Sequence, residues 1–531
     1  MPDQFTTIVL AAISLMILGG CNPSNESPET ATTQSAAEDE AIAQSIAWFD
    51  GSVDEAFAYA KTEGKPIYLY WGAEWCPPCH AIKATVFKSA EFITRSQLFV
   101  PVYLDGDTEN AQQQGEKFAV LGYPTMIVFD AHGTELTRIP GGIDIQAYAN
   151  ILDIALSRST PIDGLVDEII AGDKNLSEIE CRLVTYYSWG QNPELMQHYD
   201  VTRLYRAMFD ACPSSMRTER SILYMSYLDE LIDSIDAEVP ESALTEAQIT
   251  EARGMVGAML DDPELIYANM FAIIFNGAGM TRALTKAGTS ERGEMAQGFN
   301  AALNQLADNE TVYKRDRVYT ALGKIYMERI DDPEADLSDE LKNEIRAIAK
   351  WADETTPDPY ERQDIINSVS NVLDRAGMNE VAKPLLLAEL EKSTQPYYFM
   401  LGLANIEQTA GNVDEAVLWL EKAYDTSRGP ATRFQWGYYY ISGLIEMTPN
   451  DAEQIRNATV KVIRELEDGV GIYQRPKAQL RRLENSLIQW GKETEQGAAV
   501  EQIRGDVLAM CDNFSGEPGS FEICQAFLDP A

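Results

Sequence analysis

The segment Trp75–Cys79, which reads WCPPC, constrains the fold of this chain more than any other feature of the sequence. It follows the apolar run Pro66–Trp71, whose β-branched and aromatic residues, over a length too short for a helix, predict a buried strand. Proline is tolerated in the first turn of a helix, so the sequence predicts that a helix begins directly after Cys76. The two cysteines therefore lie one helical turn apart, at the N-terminus of a helix that follows a strand.

The thiols of this motif are placed for reversible disulfide chemistry. The dipole and the free N–H groups of a helix N-terminus favour the thiolate of Cys76, which is the attacking species in thiol–disulfide exchange, and Cys79 can resolve the mixed disulfide. Two other interpretations stay open. The pair could be half of a zinc site, although the sequence holds no second CxxC and no HxxxH to complete it. It could also be a structural disulfide, although so small a loop constrains the unfolded chain little. We expect no metal and no cofactor.

Downstream, the segment Gly122–Thr125 (GYPT) precedes another apolar run, and a proline just before a strand is a candidate cis-proline. These motifs and their order between about Trp48 and Ser157 resemble the thioredoxin superfamily, and the stretch that ends in WCPPC is most similar to periplasmic thioredoxin-like domains, including the C-terminal domain of the transmembrane disulfide reductase. The resemblance implies an α/β thioredoxin-like domain over residues 43–159, with a central mixed sheet flanked by helices. The further elements expected from it are a helix at Ser52–Glu63, a strand at Leu98–Leu104, a short helix at Gly115–Ala119, a strand at Glu135–Ile139 and a last helix at Asp144–Ser157.

The resemblance also implies a thiol–disulfide oxidoreductase and assigns roles to its residues. Cys76 would be the nucleophile and Cys79 the resolving thiol. Pro124 would be cis and stacked beside the disulfide, Tyr123 would present backbone groups to a substrate strand, and Trp75 would shield the site. The partners it implies are protein thiol or disulfide substrates and a membrane electron donor.

Two positions near the motif carry separate expectations. Many thioredoxins have a buried Asp six residues before the first cysteine, as a proton acceptor for the second, and here that position is Tyr70. A phenol is a poor base at neutral pH, so either Glu74, water or another carboxylate helps to deprotonate Cys79, or the resolving step is slow. A protonated His80 could raise the thiolate character of the motif; the alternative, which we expect, is that His80 lies on the exposed outer side of the helix.

The N-terminus predicts export and anchoring. Ile8–Leu18 is an apolar run too short to span a bilayer and of the right length for the core of a signal peptide. The following residues Leu18–Cys21 resemble a bacterial lipobox, which implies a lipoprotein signal over residues 1–21, lipidation of Cys21, and a lipid anchor at the periplasmic face of a bacterial membrane. The segment before the run holds Asp3 and no Lys or Arg, so a plain apolar anchor with a free cysteine stays the alternative. Residues 22–42 are rich in Ser, Thr, Glu, Ala and Pro and are expected to form a disordered tether.

Four cysteines remain once Cys21 and the CxxC pair are set aside. Proximity predicts structural disulfides between Cys181 and Cys212 and between Cys511 and Cys524. Four cysteines permit three connectivities, and four buried free thiols are the alternative.

The chain changes character at about Thr160. Strand-like runs disappear and apolar residues recur at three- and four-residue spacing, so residues 160–531 are expected to be entirely α-helical. The pairs Ala376-Gly377 and Ala410-Gly411 lie 34 residues apart, and residues 411–423 resemble the second half of a tetratricopeptide repeat. The resemblance is clearest over residues 310–450 and implies a stacked helical solenoid, with Pro384 and Glu389 at positions that depart from the pattern.

The helical part carries no second catalytic motif. Its aromatic residues Tyr397, Tyr398 and Trp436–Tyr440 either line a binding surface or pack between helices. The chain has 83 Asp and Glu against 42 Lys and Arg, a net charge of −41, which argues against nucleic-acid binding. The leading hypothesis is a membrane-tethered periplasmic thiol–disulfide oxidoreductase. The alternative is a helical-repeat scaffold or adaptor for periplasmic proteins with an ancillary thioredoxin-like domain.

Overall fold

The computed structural model describes residues 45–139, 148, 152, 162–172, 174–235, 243–466, 472–514 and 519–529. The predicted signal segment 1–21, with Cys21, and the predicted tether 22–42 lie outside these residues. So does the predicted last helix Asp144–Ser157, apart from residues 148 and 152. The described chain forms an α/β domain up to residue 139 and a helical half from residue 162 onwards. The exact domain boundaries stay predictions.

A four-stranded mixed sheet forms the centre of the α/β domain. Its strands are β1 (Ile67–Gly72), β2 (Val100–Asp105), β3 (Thr125–Phe129) and β4 (Glu135–Ile139), in the order β2-β1-β3-β4. β1 runs parallel to β2 and antiparallel to β3, and β4 pairs antiparallel with β3. All six residues of β1 are buried, as expected of an apolar strand with neighbours on both sides.

Helices flank both faces of this sheet. They are α1 (Val53–Glu63), α2 (Pro77–Ala84), α3 (Ala90–Ser96) and α4 (Glu109–Lys117), with a 3-10 turn at Val86–Lys88. The expected short helix at Gly115–Ala119 was misplaced. α4 begins earlier because the Thr108 side chain caps it, and it has ended before Ala119, whose φ of 52° is left-handed.

The alternation of side chains along β1 divides the core of the domain in two. Leu69 and Trp71 pack on one face, in a cluster that also contains Cys76 and Cys79. Tyr68 and Tyr70 pack on the other face among aromatic and aliphatic side chains. The redox motif therefore extends from the edge of one buried layer.

The described residues of the helical half form helices joined by short connections and no strand. The helices are α5 (Ile162–Ala171), α6 (Glu178–Tyr186), α7 (Pro193–Met196), α8 (Val201–Ala211), α9 (Arg217–Asp233), α10 (Glu246–Leu260), α11 (Pro263–Ala268), α12 (Gly277–Leu284), α13 (Ser290–Asp308), α14 (Lys314–Glu328), α15 (Asp339–Thr355), α16 (Pro359–Arg375), α17 (Asn379–Lys392), α18 (Tyr397–Thr409), α19 (Val413–Thr426), α20 (Pro430–Met447), α21 (Ala452–Arg464), α22 (Gln474–Glu493), α23 (Gly497–Leu508) and α24 (Ser520–Ala526). A π-helical turn at Ala272–Asn276 leads into α12, and 3-10 turns lie at Trp189–Gln191 and Cys511–Asn513. Within the described ranges, no helix is long and apolar enough to cross a membrane.

The 34-residue spacing corresponds to repeated helix pairs. α17 and α19 begin 34 residues apart, at Asn379 and Val413. The first helices of the two pairs, α16 and α18, are each followed two residues later by a glycine with positive φ, 70° at Gly377 and 78° at Gly411. This conformation favours glycine. Consecutive helices from α16 to α20 pack against one another. The periodic small residues thus mark the turns between packed helices.

Two disulfides lie within the helical half. One joins Cys181 of α6 to Cys212, the residue that ends α8. The other joins Cys511 to Cys524 of α24. Both pairings are those that proximity predicts, and all four side chains are buried.

Candidate redox site

Cys76 occupies the N-cap position of α2, and Pro77 and Pro78 fill the first turn of this helix. The structure contains the Cys76–Cys79 disulfide. The backbone N–H of Cys79 donates to the Cys76 sulfur at 3.2 Å. A helix N-terminus thus directs a hydrogen-bond donor at the first sulfur, which is the arrangement that stabilises a thiolate when the bond is reduced.

The predicted proline loop lies at the neighbouring strand end. Thr125 of β3 pairs with Trp71 of β1, which places Pro124 next to the turn that leads to Cys76. The Tyr123–Pro124 peptide bond is cis. The Tyr123 ring lies 5.8 Å from the Trp75 ring, so the proline loop and the cysteine motif meet through these two side chains.

Trp75 is fixed by a residue that the sequence analysis missed. Its indole N–H donates to Asp107 Oδ2 at 2.9 Å, and Trp75 is buried. Asp107 follows β2, and because β1 and β2 are parallel, their carboxyl ends open at the same edge of the sheet. A polar residue directly after the second parallel strand was the signal that could have identified it.

Tyr70 lies in a setting that excludes proton transfer at neutral pH. Burial raises the pKa of Tyr70 well above its ordinary value of 10.0, and the nearby phenol of Tyr103 adds to the shift. The Tyr70 hydroxyl is buried and has no hydrogen-bond partner among the described residues. The phenol therefore cannot accept the proton of Cys79.

The helical half lies over the disulfide. Cys76 and Cys79 are both 0% exposed. Gln395 donates to the Glu74 carbonyl at 3.1 Å, and the Tyr398 hydroxyl donates to the Trp75 carbonyl at 3.4 Å. The Cys76 sulfur is thus inaccessible to a protein substrate in this structure.

The helical half contacts the α/β domain on both sides of the cysteine motif. The ring of His80 lies 4.3 Å from the ring of Tyr360 at the start of α16, so the expectation of an exposed His80 was wrong. Burial lowers the pKa of His80 below its ordinary value of 6.5 and outweighs the hydrogen bond with the Glu74 carbonyl, which acts in the opposite direction. On the other side, the Gln191 amide donates to the Pro124 carbonyl at 3.4 Å.

A cavity of about 150 Å³ lies between the first turn of α2 and parts of helices α16, α18 and α20. Pro77 and Pro78 form one wall, and Tyr398 and Trp436 contribute to the others. Trp436 also belongs to the core between the helices, which agrees with the expectation that these aromatic residues pack between helices, whereas a binding surface stays a prediction. The described residues contain no group of three or more His, Cys, Asp or Glu side chains that could hold a metal ion.

Comparison with known proteins identifies the α/β domain. Residues 53–155 match a family model described as a thioredoxin-like domain. This part of the chain is therefore a thioredoxin-like domain, as its motifs predict, and the matched region ends before the helical half begins.

The similar proteins are disulfide interchange proteins of bacteria. The thiol:disulfide interchange protein DsbD 1 of Pseudomonas aeruginosa is 30% identical over 110 residues, which are 20% of this chain and 19% of that protein. The DsbD of Cronobacter sakazakii is 34% identical over 104 residues, 19% of this chain and 18% of its own length. The DsbD of Pseudoalteromonas atlantica is 25% identical over 100 residues, 18% and 17% of the two chains. The similarity thus spans less than a fifth of these relatives.

Proposed function

We propose that this protein is a membrane-tethered periplasmic thiol–disulfide oxidoreductase that exchanges disulfides with protein substrates through Cys76 and Cys79. The observation that carries the proposal is the position of the Cys76 sulfur at the N-terminus of α2, where it accepts the Cys79 N–H beside a cis-proline loop. A structural disulfide needs none of these features.

The exchange reaction balances as follows. In the reduced protein the Cys76 thiolate attacks one sulfur of a substrate disulfide, an S–S bond to the substrate forms, and the other substrate sulfur leaves as a thiolate that takes up a proton. Cys79 loses its proton and attacks the Cys76 sulfur, which restores the Cys76–Cys79 disulfide and releases the second substrate thiol. Two electrons pass to the substrate, and a dithiol donor at the membrane returns them.

The proposed location rests on the sequence. The apolar run and the lipobox-like Leu18–Cys21 support export and lipidation at Cys21. Two buried disulfides in the helical half suit an oxidising compartment. The relatives named as thiol:disulfide interchange proteins support the same chemistry.

The test is to trap the reaction intermediate. With Cys79→Ser the mixed disulfide at Cys76 cannot be resolved, so we expect covalent adducts with periplasmic proteins that disappear on reduction. The adducts are detected on non-reducing gels and identified by mass spectrometry. The matched control, Cys76→Ser with Cys79→Ser, should form none. Absence of adducts together with failure of the purified wild-type protein to reduce insulin would contradict the proposal.

A second candidate function is the scaffold or adaptor, which the cavity between the two halves favours. Trp436, Asn371 and Asp364 are among the residues that line the cavity, and each has one buried polar atom (Nε1, Oδ1 and Oδ2, respectively) without a hydrogen-bond partner among the described residues. Buried polar atoms of this kind are usually satisfied by a bound group or by water. A scaffold would retain its partners in the double cysteine variant, whereas an oxidoreductase would lose the covalent ones.

A further inference from the structure

One set of contacts between the two halves lies on the surface that surrounds the disulfide, apart from those that the helical half makes with β4. Gln395 and Tyr398 bind the backbone carbonyls of Glu74 and Trp75, directly before Cys76. The Tyr360 ring contacts the ring of His80, directly after Cys79, at a tilted angle. The same few residues on each side of the two cysteines are therefore in contact with the helical half.

A third contact reaches the pair formed by Trp75 and Asp107. A Cβ atom added to Gly429, which precedes α20, would lie 2.7 Å from Asp107 Oδ2 and 2.8 Å from Trp75 Nε1. The backbone at Gly429 therefore packs directly on these two side chains. A side chain at position 429 would therefore require Asp107, Trp75 or the backbone before α20 to shift.

A protein substrate needs this same surface. Its sulfur has to approach the Cys76 sulfur in line with the disulfide that breaks, and its backbone has to lie beside Tyr123 and Pro124. In this structure Cys76 is fully buried, and the Pro124 carbonyl already accepts a hydrogen bond from Gln191. Substrate and helical half cannot occupy the surface together.

We propose that the helical half forms a removable cover over the redox site, through residues 360–429 and Gln191, so that a protein substrate reaches Cys76 only when this cover has lifted. The cover meets the cysteine motif through two side-chain hydrogen bonds to backbone carbonyls, one ring contact, one glycine contact and the packing of α16 on α2. Interfaces between domains that mix polar and apolar contacts in this way commonly allow the domains to move. The cover thereby regulates the proposed oxidoreductase, on which the inference rests.

Gly429 allows the cover to be loosened at one position. Gly429→Ala places a methyl group against Trp75 and Asp107, which pushes the cover from the α/β domain. Because Gly429 has a φ of 90°, alanine also strains the backbone there. Gly411→Ala is the matched control, since Gly411 has a φ of 78° and open space around its Cα. Both variants carry the backbone strain, and only the first disturbs the cover.

The measurement is the access of reagents to Cys76 in the reduced full-length protein. Alkylation by N-ethylmaleimide and by a maleimide with a long polyethylene glycol chain is followed by mass spectrometry. The rate with the polymer divided by the rate with N-ethylmaleimide reports access independently of thiolate content, because only the polymer needs the cover to lift fully. A cysteine introduced by Leu418→Cys, at an exposed position of α19, serves as the reference. The rate of reaction from an open form scales with the open fraction.

We expect this ratio for wild-type Cys76 to be at least about tenfold below that of the reference cysteine, because the polymer reacts only with the fully open molecules whereas N-ethylmaleimide also reacts after smaller openings. Gly429→Ala should raise the ratio several-fold and accelerate insulin reduction, while Gly411→Ala should match the wild type. A combined Gln395→Ala, Tyr398→Ala variant, which removes contacts without adding atoms, should behave like Gly429→Ala. Circular dichroism checks that each variant is folded.

The results distinguish a failure of the proposed cover from a failure of the proposed oxidoreductase function. A wild-type ratio equal to that of the reference, or no change in either loosened variant, would overturn the cover. If the ratios shift as expected but no variant reduces insulin or traps a partner, the cover stands and the oxidoreductase proposal fails.

Discussion

At the scale of single residues, two tyrosines on one face of β1 have opposite hydrogen-bonding states. Tyr68 bonds through its hydroxyl to the hydroxyl of Tyr148. Tyr70, two residues later, has a buried hydroxyl without a partner among the described residues. The phenol at position 70 therefore contributes neither a hydrogen bond nor a base to the redox site.

This difference predicts opposite effects of the same substitution. Tyr70→Phe removes an unsatisfied hydroxyl and should stabilise the protein by about 1 kcal/mol, whereas Tyr68→Phe should destabilise it by about the same amount because it leaves Tyr148 unpaired. Urea denaturation measures both changes. Since the phenol of Tyr70 cannot take up a proton, Tyr70→Phe should leave the rate of insulin reduction unchanged. A tenfold loss of that rate would show that Tyr70 takes part in the resolving step.

At the scale of elements, the strands, helices and turns that short sequence patterns determine were predicted correctly from the sequence. The apolar run before the motif, the prolines after Cys76 and the GYPT segment all have a local physical cause, and β1, α2 and the cis-proline follow from them. The start of α4 was missed because a single capping residue, Thr108, decides it. Glu389 looked like a departure from the repeat, and only the structure supplies the reason, since its partner Arg362 lies on another helix.

Glu389 of α17 is buried and paired with Arg362 of α16, which donates to it at 2.5 Å and 3.0 Å. Arg362→Met would leave a buried carboxylate without its main partner and should destabilise the helical half by about 3–5 kcal/mol, and the double variant with Glu389→Leu should recover most of that loss. Circular dichroism during urea titration measures this. Arg456→Met is the control, because its partner Asp506 is partly exposed and such a pair contributes at most about 1 kcal/mol.

The same pair predicts a pH dependence. Burial alone would raise the pKa of Glu389, but the hydrogen bonds from Arg362 and Lys392 outweigh it and lower the pKa below its ordinary value of 4.5. The stabilising effect of the pair is therefore complete above about pH 4.5 and is lost as the pH falls through the lowered pKa. The stability difference between wild type and Arg362→Met should shrink in that acidic range. A difference that stays constant there would contradict the role of the ion pair.

At the scale of the whole molecule, no local pattern predicts that the helical half covers the disulfide. The hydrogen bond between Tyr398 and Trp75 joins residues 323 positions apart, and the residues that form the cover have no shared spacing or motif. Each of them, read in its own segment, is an ordinary polar or aromatic residue of a helix or a turn. Docking depends on the summed shape of two domains, which sequence periodicity does not encode.

The cover should also respond to acid, through His80. This residue is half-buried against Tyr360, and the charged groups around it are Glu74, Lys83 and Asp358. Burial lowers the pKa of His80 in the closed form, and opening returns it towards its ordinary value of 6.5, so the open form binds more protons between those two values. Lowering the pH through 6.5 should therefore favour opening, and the effect should level off once the pH is below the lowered pKa.

The ratio of the two maleimide rates isolates this effect, because the falling thiolate fraction slows both reagents equally. We expect the ratio at Cys76 to rise several-fold on acidification in the wild type and to stay constant in His80→Phe, which keeps a ring against Tyr360 but cannot titrate. Equal pH profiles in the two proteins would rule out His80 as the sensor. Because Glu74 and Asp358 act to raise the pKa of His80 and Lys83 to lower it, Asp358→Asn should lower the pKa of His80 in the closed form further. Opening should then begin at the same pH but continue to lower pH before it levels off, and its total extent should increase.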